Sequence, residues 1–289
     1  MSQANTSRGP SPWPIYLLLA IAVIVPAAYW QRVWFGSRLS DEELARRLAR
    51  PQEVRDIQHA CEQLSRRMQH DPEGAGQFYE LLLPLAEHSD EEVRAVVAWC
   101  MGEDDTGFAP FRQSLLALVG DPAPRVRYNA ALALARHGDS ASRPVLQEML
   151  SPYPVRSDWE GSAERGTVVQ LLGPHDVLHP RARIALIDAG TPQPVVAPLR
   201  GQVGRVAVAV GQRIGKGELL CTIKPEFSQL FEALRAFALV GEIEDLEHLE
   251  PYRDPVSRFS STQQHALQTQ TSFTMEAIRR RASAGPGLQ

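Results

Sequence analysis

The chain has 289 residues, of which 44% are hydrophobic and 22% charged, with a formal net charge of -4. That length holds about two domains of ~100–200 residues each, and the apolar content excludes a chain disordered throughout. With 30 basic against 34 acidic residues there is no global basic field for nucleic acid, and three dispersed cysteines outside any CxxC pair, Cys61, Cys100 and Cys221, exclude a disulfide framework and a thiolate metal site.

Residues 1–12 are expected as a tail and residues 13–35 as a transmembrane anchor. The run WPIYLLLAIAVIVPAAYW, 13–30, carries no charge and as a helix extends about 27 Å at ~1.5 Å per residue, enough to span a bilayer core. Trp13 and Tyr16 at one end, and Tyr29, Trp30 and Trp34 at the other, stand where amphipathic rings meet headgroups. A cleaved signal peptide is the competing reading, with Pro26-Ala27-Ala28 as small residues, but its basic region would be Arg8 alone. Arg32, Arg38, Arg46, Arg47 and Arg50 follow the span and by the positive-inside rule favour a cytoplasmic C-terminal part, whereas a short N-terminal tail is itself easily retained inside. Sidedness stays open.

From residue 39 to 150 apolar residues recur at helical spacing between short polar or Pro/Gly turns, which predicts antiparallel helix pairs. Residues 82–103 align with 115–139 at an offset of 33, matching Leu85 with Leu118, Val93-Arg94 with Val126-Arg127 and Ala98 with Ala131. A unit of that length cannot bury its own apolar face and must stack on neighbours. Asp90 and Asp121 are expected to cap helix starts, the valines to enter the core, and each arginine to reach the preceding repeat's turn. Ala130, Ala131 and Ala133 permit close helix approach, Leu132 and Leu134 fill the gap, and Gly138 ends the helix.

A "D…VR…A…AL…G" second helix after an "LL…L" first helix resembles the short bacterial HEAT repeat. The likeness is strong over 82–150 and weaker over 40–81, where Val54-Arg55 is kept without the small residues. It returns over 227–242, where Ala233, Ala236 and Gly241 mirror Ala130, Ala133 and Gly138. The resemblance implies a curved stack of helix pairs serving as a protein-binding surface, with no catalytic residues of its own.

Between 151 and 225 short Val/Ile runs with frequent Gly and Pro predict strands. Residues 166–187 align with 201–223, so this part is also duplicated. The second copy, preceded by VVAP, resembles the half-motif of biotinyl/lipoyl carriers and of the barrel-sandwich hybrid in membrane-fusion adaptors. The resemblance implies φ > 0 at Gly201, Gly211 and Gly217, and an interior lined by Val203, Val206, Val208 and Ile214. In the first copy His179-Pro180 stands in place of the usual Gly. The family's modified lysine belongs on the hairpin at 188–196, which has no Lys, so attachment of biotin or lipoate is excluded. Lys216 and Lys224 are expected as solvated charges.

The remaining chemical signals are weak. GQRIGKG, 211–217, is one residue short of a phosphate loop and lacks its hydroxyl. His175 and His179 are ordinary loop histidines, and Glu103-Asp104-Asp105 is expected as a solvated turn near ordinary carboxylate pKa values. Trp99 is read as core between repeats rather than an anchor on the concave face, and Arg94 and Arg127 as stitches between repeats. Residues 261–281 form a further helix burying Leu267, Phe273, Met275 and Ile278, its Arg279-Arg280-Arg281 end solvated, and 283–289 are a disordered tail.

The fold expected is mostly α: a HEAT-like α-solenoid over 39–150 and 225–282, with a small β barrel-sandwich module inserted at 160–224 and one transmembrane helix before it. Arg supplies every basic residue except Lys216 and Lys224, the usage of a GC-rich bacterial gene, so the expected setting is a single pass through a bacterial inner membrane. No catalytic, cofactor-binding or metal-ligating residue is identified. The expected function is a non-enzymatic scaffold or adaptor that meets a protein partner at the membrane, a component of an export or envelope complex by the membrane-fusion resemblance, with lipid contact through 13–30 and no nucleic acid or small-molecule substrate. The alternative is an accessory subunit of a modifying enzyme resembling HEAT-type bilin lyases.

Overall fold

The computed structural model describes residues 13, 16, 19–26, 39–49 and 53–284. They fall into two units, 1–44 and 45–289. In the first, residues 13, 16 and 19–26 are helical with exposed side chains. Among the described residues no helix is long and apolar enough to cross a membrane; the rest of the expected anchor at 13–35 and the tail at 1–12 lie outside them. Ser40 Oγ accepts from the Glu43 amide, 3.2 Å, at the start of helix α1 (Asp41–Ala49), whose first turn is acidic.

The second unit stacks helices in two layers. One contains α2 (Val54–His70), α3 (Glu91–Met101), α5 (Pro124–Arg136), α7 (Phe227–Val240) and α8 (Ser261–Ala284). The other contains short turns between Pro72 and Glu87, then α4 (Ala109–Leu118) and α6 (Arg143–Leu150). Val93 and Val126 are fully buried, as are Ala130, Ala131 and Leu134, while Leu132 is half-buried. Gly102 marks a close crossing of α3 and α5, since a Cβ there would lie 2.6 Å from the Ala133 Cβ. Gly138 ends α5 at φ +73, as its position after the helix requires. Gly241 does not repeat that conformation: its φ is -64, and it is small because a Cβ would meet Ile278 Cδ1 at 2.7 Å.

The aspartates before the second helices work as turn anchors. Asp90 accepts from the Glu92 amide at 2.8 Å and is the N-cap of α3. Asp121 accepts from the Ala123 amide at 2.8 Å but stands two residues before the cap position of α5, which Ala123 holds. Arginine reach runs opposite to the sequence expectation. Arg94 grips Asp121 of the following repeat through Nε at 2.6 Å and Nη2 at 3.0 Å, and donates to the His88 and Ser89 carbonyls of its own turn. Arg127 repeats the inward half on Asp121 and Pro122 carbonyls but pairs with Glu148 on α6.

That substitution follows from where the β-module is inserted. Helices α6 and α7 pack together as the two halves of one repeat, and the module fills the turn between them, where the next anchoring aspartate would stand. Its strands are β1 (Tyr153–Arg156), β2 (Arg165–Leu171), β3 (Val177–Leu178), β4 (Arg183–Asp188), β5 (Pro192–Val196), β6 (Gly201–Val206), β7 (Arg213–Gly215) and β8 (Leu219–Pro225). The first strand lies outside the expected 160–224 span because it pairs with the last, Tyr153 opposite Ile223.

Among the described residues the strands form two four-stranded antiparallel sheets, ordered β1-β8-β6-β3 and β5-β4-β2-β7. Exchanging β1–β4 with β5–β8 turns one order into the other, so the sequence duplication is a pseudo-two-fold in which each half lends its first strand and its short third strand to the other's sheet. The backbone pairs are reciprocal: His175 N donates to Val203 O at 2.9 Å and Gly211 N to Val168 O at 2.8 Å. Val168, Ile184, Ile187, Val203, Ile214 and Ile223 fill the shared core, with Val206 and Val208 at its edge.

Under this symmetry Gly211 and Gly217, at φ +87 and +79, correspond to His175 and Arg181, at φ +75 and +65. Arg181, rather than His179-Pro180, therefore occupies the second glycine position. Gly201 lies in a strand, not a left-handed turn; it and Gly166 are small because a Cβ would strike Ile223 and Ile187 at 2.6 and 2.5 Å. A non-glycine residue in the left-handed region costs roughly 1–2 kcal/mol. His175→Gly and Arg181→Gly are each expected to raise stability by ~0.5–1 kcal/mol, offset in part by the entropy of glycine. Thermal melts of the two variants check this, and a fall in Tm for both would refute it.

Candidate interaction surface

Helical geometry places Arg125, Asn129, Leu132 and Arg136 on one stripe of α5, and Ser228, Glu232, Arg235 and Leu239 on one stripe of α7. These stripes form the walls of a trench. Three cavities of about 340, 360 and 410 Å³ adjoin along it: the first two share Leu132 and Glu232, the last two share Arg200, Glu226 and Ser228. At one end Leu239 and Phe273 are 54% and 57% exposed on α7 and α8, so the structure leaves Phe273 uncovered where the sequence placed it in the core. At the other end the trench reaches Val177 on β3, an edge strand, and Lys224 on β8.

The same face continues toward α2 as a ladder. Gln69 donates to Glu103 at 3.0 Å, and Gln58 reaches Glu92 at 3.5 Å, each across 34 residues. Asn129 Nδ2 bonds the Ala95 carbonyl at 2.8 Å and Arg136 the Gly102 carbonyl at 2.9 Å, again across 34 residues. Arg136 also pairs with Glu103, and Arg125 with Glu92 at 3.5 Å. Trp99, expected in the core, is 38% exposed on this face. Val93, Val97, Ala98 and Met101 take the buried side of α3, which turns Trp99 outward.

This side-by-side recurrence is what a stacked array of repeats requires. Residues 79–162 match the family model for HEAT repeats. The matched residues supply the middle of the second unit and one wall of the trench, and HEAT repeats generally mediate protein–protein interaction. None of the curated proteins matches the chain. A solved single-chain, multi-domain long-chain acyl-CoA carboxylase is similar at 16% identity over 55% of this chain and 14% of that one, with a TM-score of 0.22. The chain spans about one seventh of that protein's length.

Carboxylates behave differently from the sequence expectation. Asp104 is buried rather than solvated: it accepts from Tyr79 Oη at 2.9 Å, Thr106 Oγ1 at 2.7 Å and the Thr106 and Phe108 amides, both at 2.9 Å. Burial pushes its pKa up, but these donors outweigh burial and hold it below the usual range. Burial and the same contact push the Tyr79 phenol up. Asp104 and Asp139 line a further cavity of about 640 Å³ between the HEAT turns, but Asp139 is already bonded to Arg112 and the Ala141 amide.

The other singled-out residues serve the fold. His175 and His179 lie in the β3 turns and, among the described residues, no group of His, Cys, Asp and Glu is placed to hold a metal. GQRIGKG forms β7 and its turn into β8, so no helix follows it. Lys216 is anchored, donating to Gly161 O at 2.8 Å with its ammonium 5.8 Å from the Trp159 ring. Arg281 caps the end of α7 by donating to the Ala238 and Gly241 carbonyls, and Arg280 pairs with Glu276. Ser283 and Ala284, expected in the tail, continue α8, and residues 285–289 lie outside the described residues.

Proposed function

We propose that the chain is a non-enzymatic scaffold, anchored in a membrane by its N-terminal apolar segment, which docks a protein partner along the α5–α7 trench. The observation that carries this reading is the trench itself: an open groove whose rim exposes Leu239 and Phe273 among ion-paired Arg and Glu side chains. Exposed apolar and aromatic side chains set among charged ones are the mixture that a protein interface presents. The exposed helical residues Leu19, Ile21, Val23, Ile24 and Val25 support the anchor, since a contiguous apolar surface needs a cover. The exchanged-strand symmetry supports a module of the barrel-sandwich-hybrid kind, used for rigidity and docking. The buried carboxylates Asp104, Asp121 and Asp245 are engaged by arginine, tyrosine or backbone donors and held below the usual range. A general acid or base working at neutral pH needs the opposite shift.

The test is in-membrane crosslinking and co-purification of the full chain beside Leu239→Glu and Phe273→Glu. Both side chains are more than half exposed, so neither substitution disturbs the core. Each is expected to reduce partner recovery at least tenfold at unchanged Tm. Recovery at the unsubstituted level in both would rule out the trench as the docking surface.

A further inference from the structure

Charge is unevenly distributed along the trench. Among the described residues its lining carries six basic and two acidic side chains, in a chain of net charge -4. Four of the six are matched: Arg125 by Glu92, Arg136 by Glu103, Arg200 by Glu226 at 3.2 Å and Arg235 by Glu232 at 3.3 Å. Lys224 and Arg258 are not: among the described residues neither has a carboxylate partner, and both line the cavity of about 410 Å³ at the β-module end. Arg258 spends one donor on the Pro225 carbonyl at 2.9 Å, with its guanidinium 4.5 Å from the Phe259 ring centroid, and a guanidinium has five N–H donors. Burial costs it part of its hydration, a cost that a bound anion would offset.

The cavity also has an aromatic wall. Phe227 stacks on Phe231 at 5.5 Å and meets Phe259 edge-on at 6.0 Å. Two unmatched cations beside such a wall fit a carboxylate whose neighbour is apolar, because charge and ring contact are satisfied together. Continuity with the trench through Arg200, Glu226 and Ser228 favours a chain passing through over an isolated ion.

We propose that Lys224 and Arg258 form the anchor point for an acidic peptide segment lying in the trench, with the residue next to its carboxylate packed on Phe227 and Phe259. This rests on the trench being the docking surface and adds the chemistry of its occupant.

The experiment uses the full chain in detergent micelles and fluorescein-labelled peptides containing Glu-Phe-Glu, Gln-Phe-Gln or Glu-Ser-Glu between Gly-Ser flanks, read by anisotropy. The first is expected to bind at least tenfold tighter than the other two, with affinity falling as salt rises. Lys224→Gln and Arg258→Gln are each expected to weaken it about tenfold at unchanged Tm, whereas Lys224→Arg stays within threefold. Equal binding of the three peptides, or no effect of either glutamine variant, overturns the proposal. Phosphatidylglycerol vesicles that displace the peptide in a Lys224- and Arg258-dependent way, more strongly than unlabelled peptide does, assign the pocket to a lipid headgroup and also overturn it. Failure here with partner recovery still sensitive to Leu239→Glu overturns the anchor alone and leaves the scaffold reading standing.

Discussion

Asp245→Ala is expected to destabilise the chain by about 3–5 kcal/mol, the cost of breaking a buried ion pair by removing one partner. Asp245 is fully buried in the turn after α7, where it accepts from Arg143 Nε at 2.7 Å, Gln147 Nε2 at 2.7 Å and the Glu242 amide at 2.8 Å. Arg143 and Gln147 belong to α6, about a hundred residues earlier, so this carboxylate clamps the two halves of the repeat that the β-module splits. Glu242 also pairs with Arg143 and keeps the arginine matched, which places the loss at the lower end. At ~2–4 °C per kcal/mol this is a Tm lower by roughly 6–12 °C, measurable by thermal melts; a shift under 2 °C would mean that the clamp contributes little.

The same carboxylate sets a pH dependence. Burial raises its pKa, but Arg143, the Glu242 amide and Gln147 outweigh that and hold it below the usual range. A carboxylate depressed on folding contributes stability that is complete above its unfolded pKa of ~3.9 and is lost as pH falls through the folded value. Asp104 and Asp121 are shifted the same way, so stability is expected to be level from pH 7 to about 5 and to fall below about 4. Asp245→Asn should flatten that acid slope, and parallel acid profiles for the two proteins would contradict the linkage.

Gly201→Val is expected to open the sheet β1-β8-β6-β3. A Cβ at 201 would lie 2.4 Å from the Lys224 carbonyl oxygen and 2.6 Å from Ile223 Cγ2, and the nearer obstacle is backbone in a paired strand. Ordinary overpacking costs ~1–3 kcal/mol because side chains yield; here β6 must leave β8, so the cost is expected at or above about 3 kcal/mol. Amide exchange across 219–225 should rise sharply. Gly211→Ala is the control: its Cβ meets open space at φ +87, so only the roughly 1–2 kcal/mol left-handed penalty applies. Equal losses in the two variants would remove close backbone approach as the reason for Gly201.

Much of the architecture was legible because it is written twice. The offset of 33 that aligns Val93-Arg94 with Val126-Arg127 reappears as ladder bonds across 34 residues, since residues at equal places in stacked repeats become neighbours. The strand duplication was equally visible, because alternating Val and Gly report local geometry. The site was less so. Trp99 shows its face only when α2 and α5 are seen covering the other sides of α3, and Asp104 looks solvated until Tyr79, 25 residues earlier, closes over it.

By itself, the sequence determined what depends on neighbours along the chain: helix and strand periods, the turn aspartates, the repeat lengths, and the apolar run at 13–30. Tertiary structure alone decided what depends on distant segments meeting. Inserting the β-module inside a repeat joined α6 to α7 and made Glu148 the partner of Arg127. It also carried Lys224 to Arg258 beside two phenylalanines, a juxtaposition that no local pattern encodes because three separate elements create it.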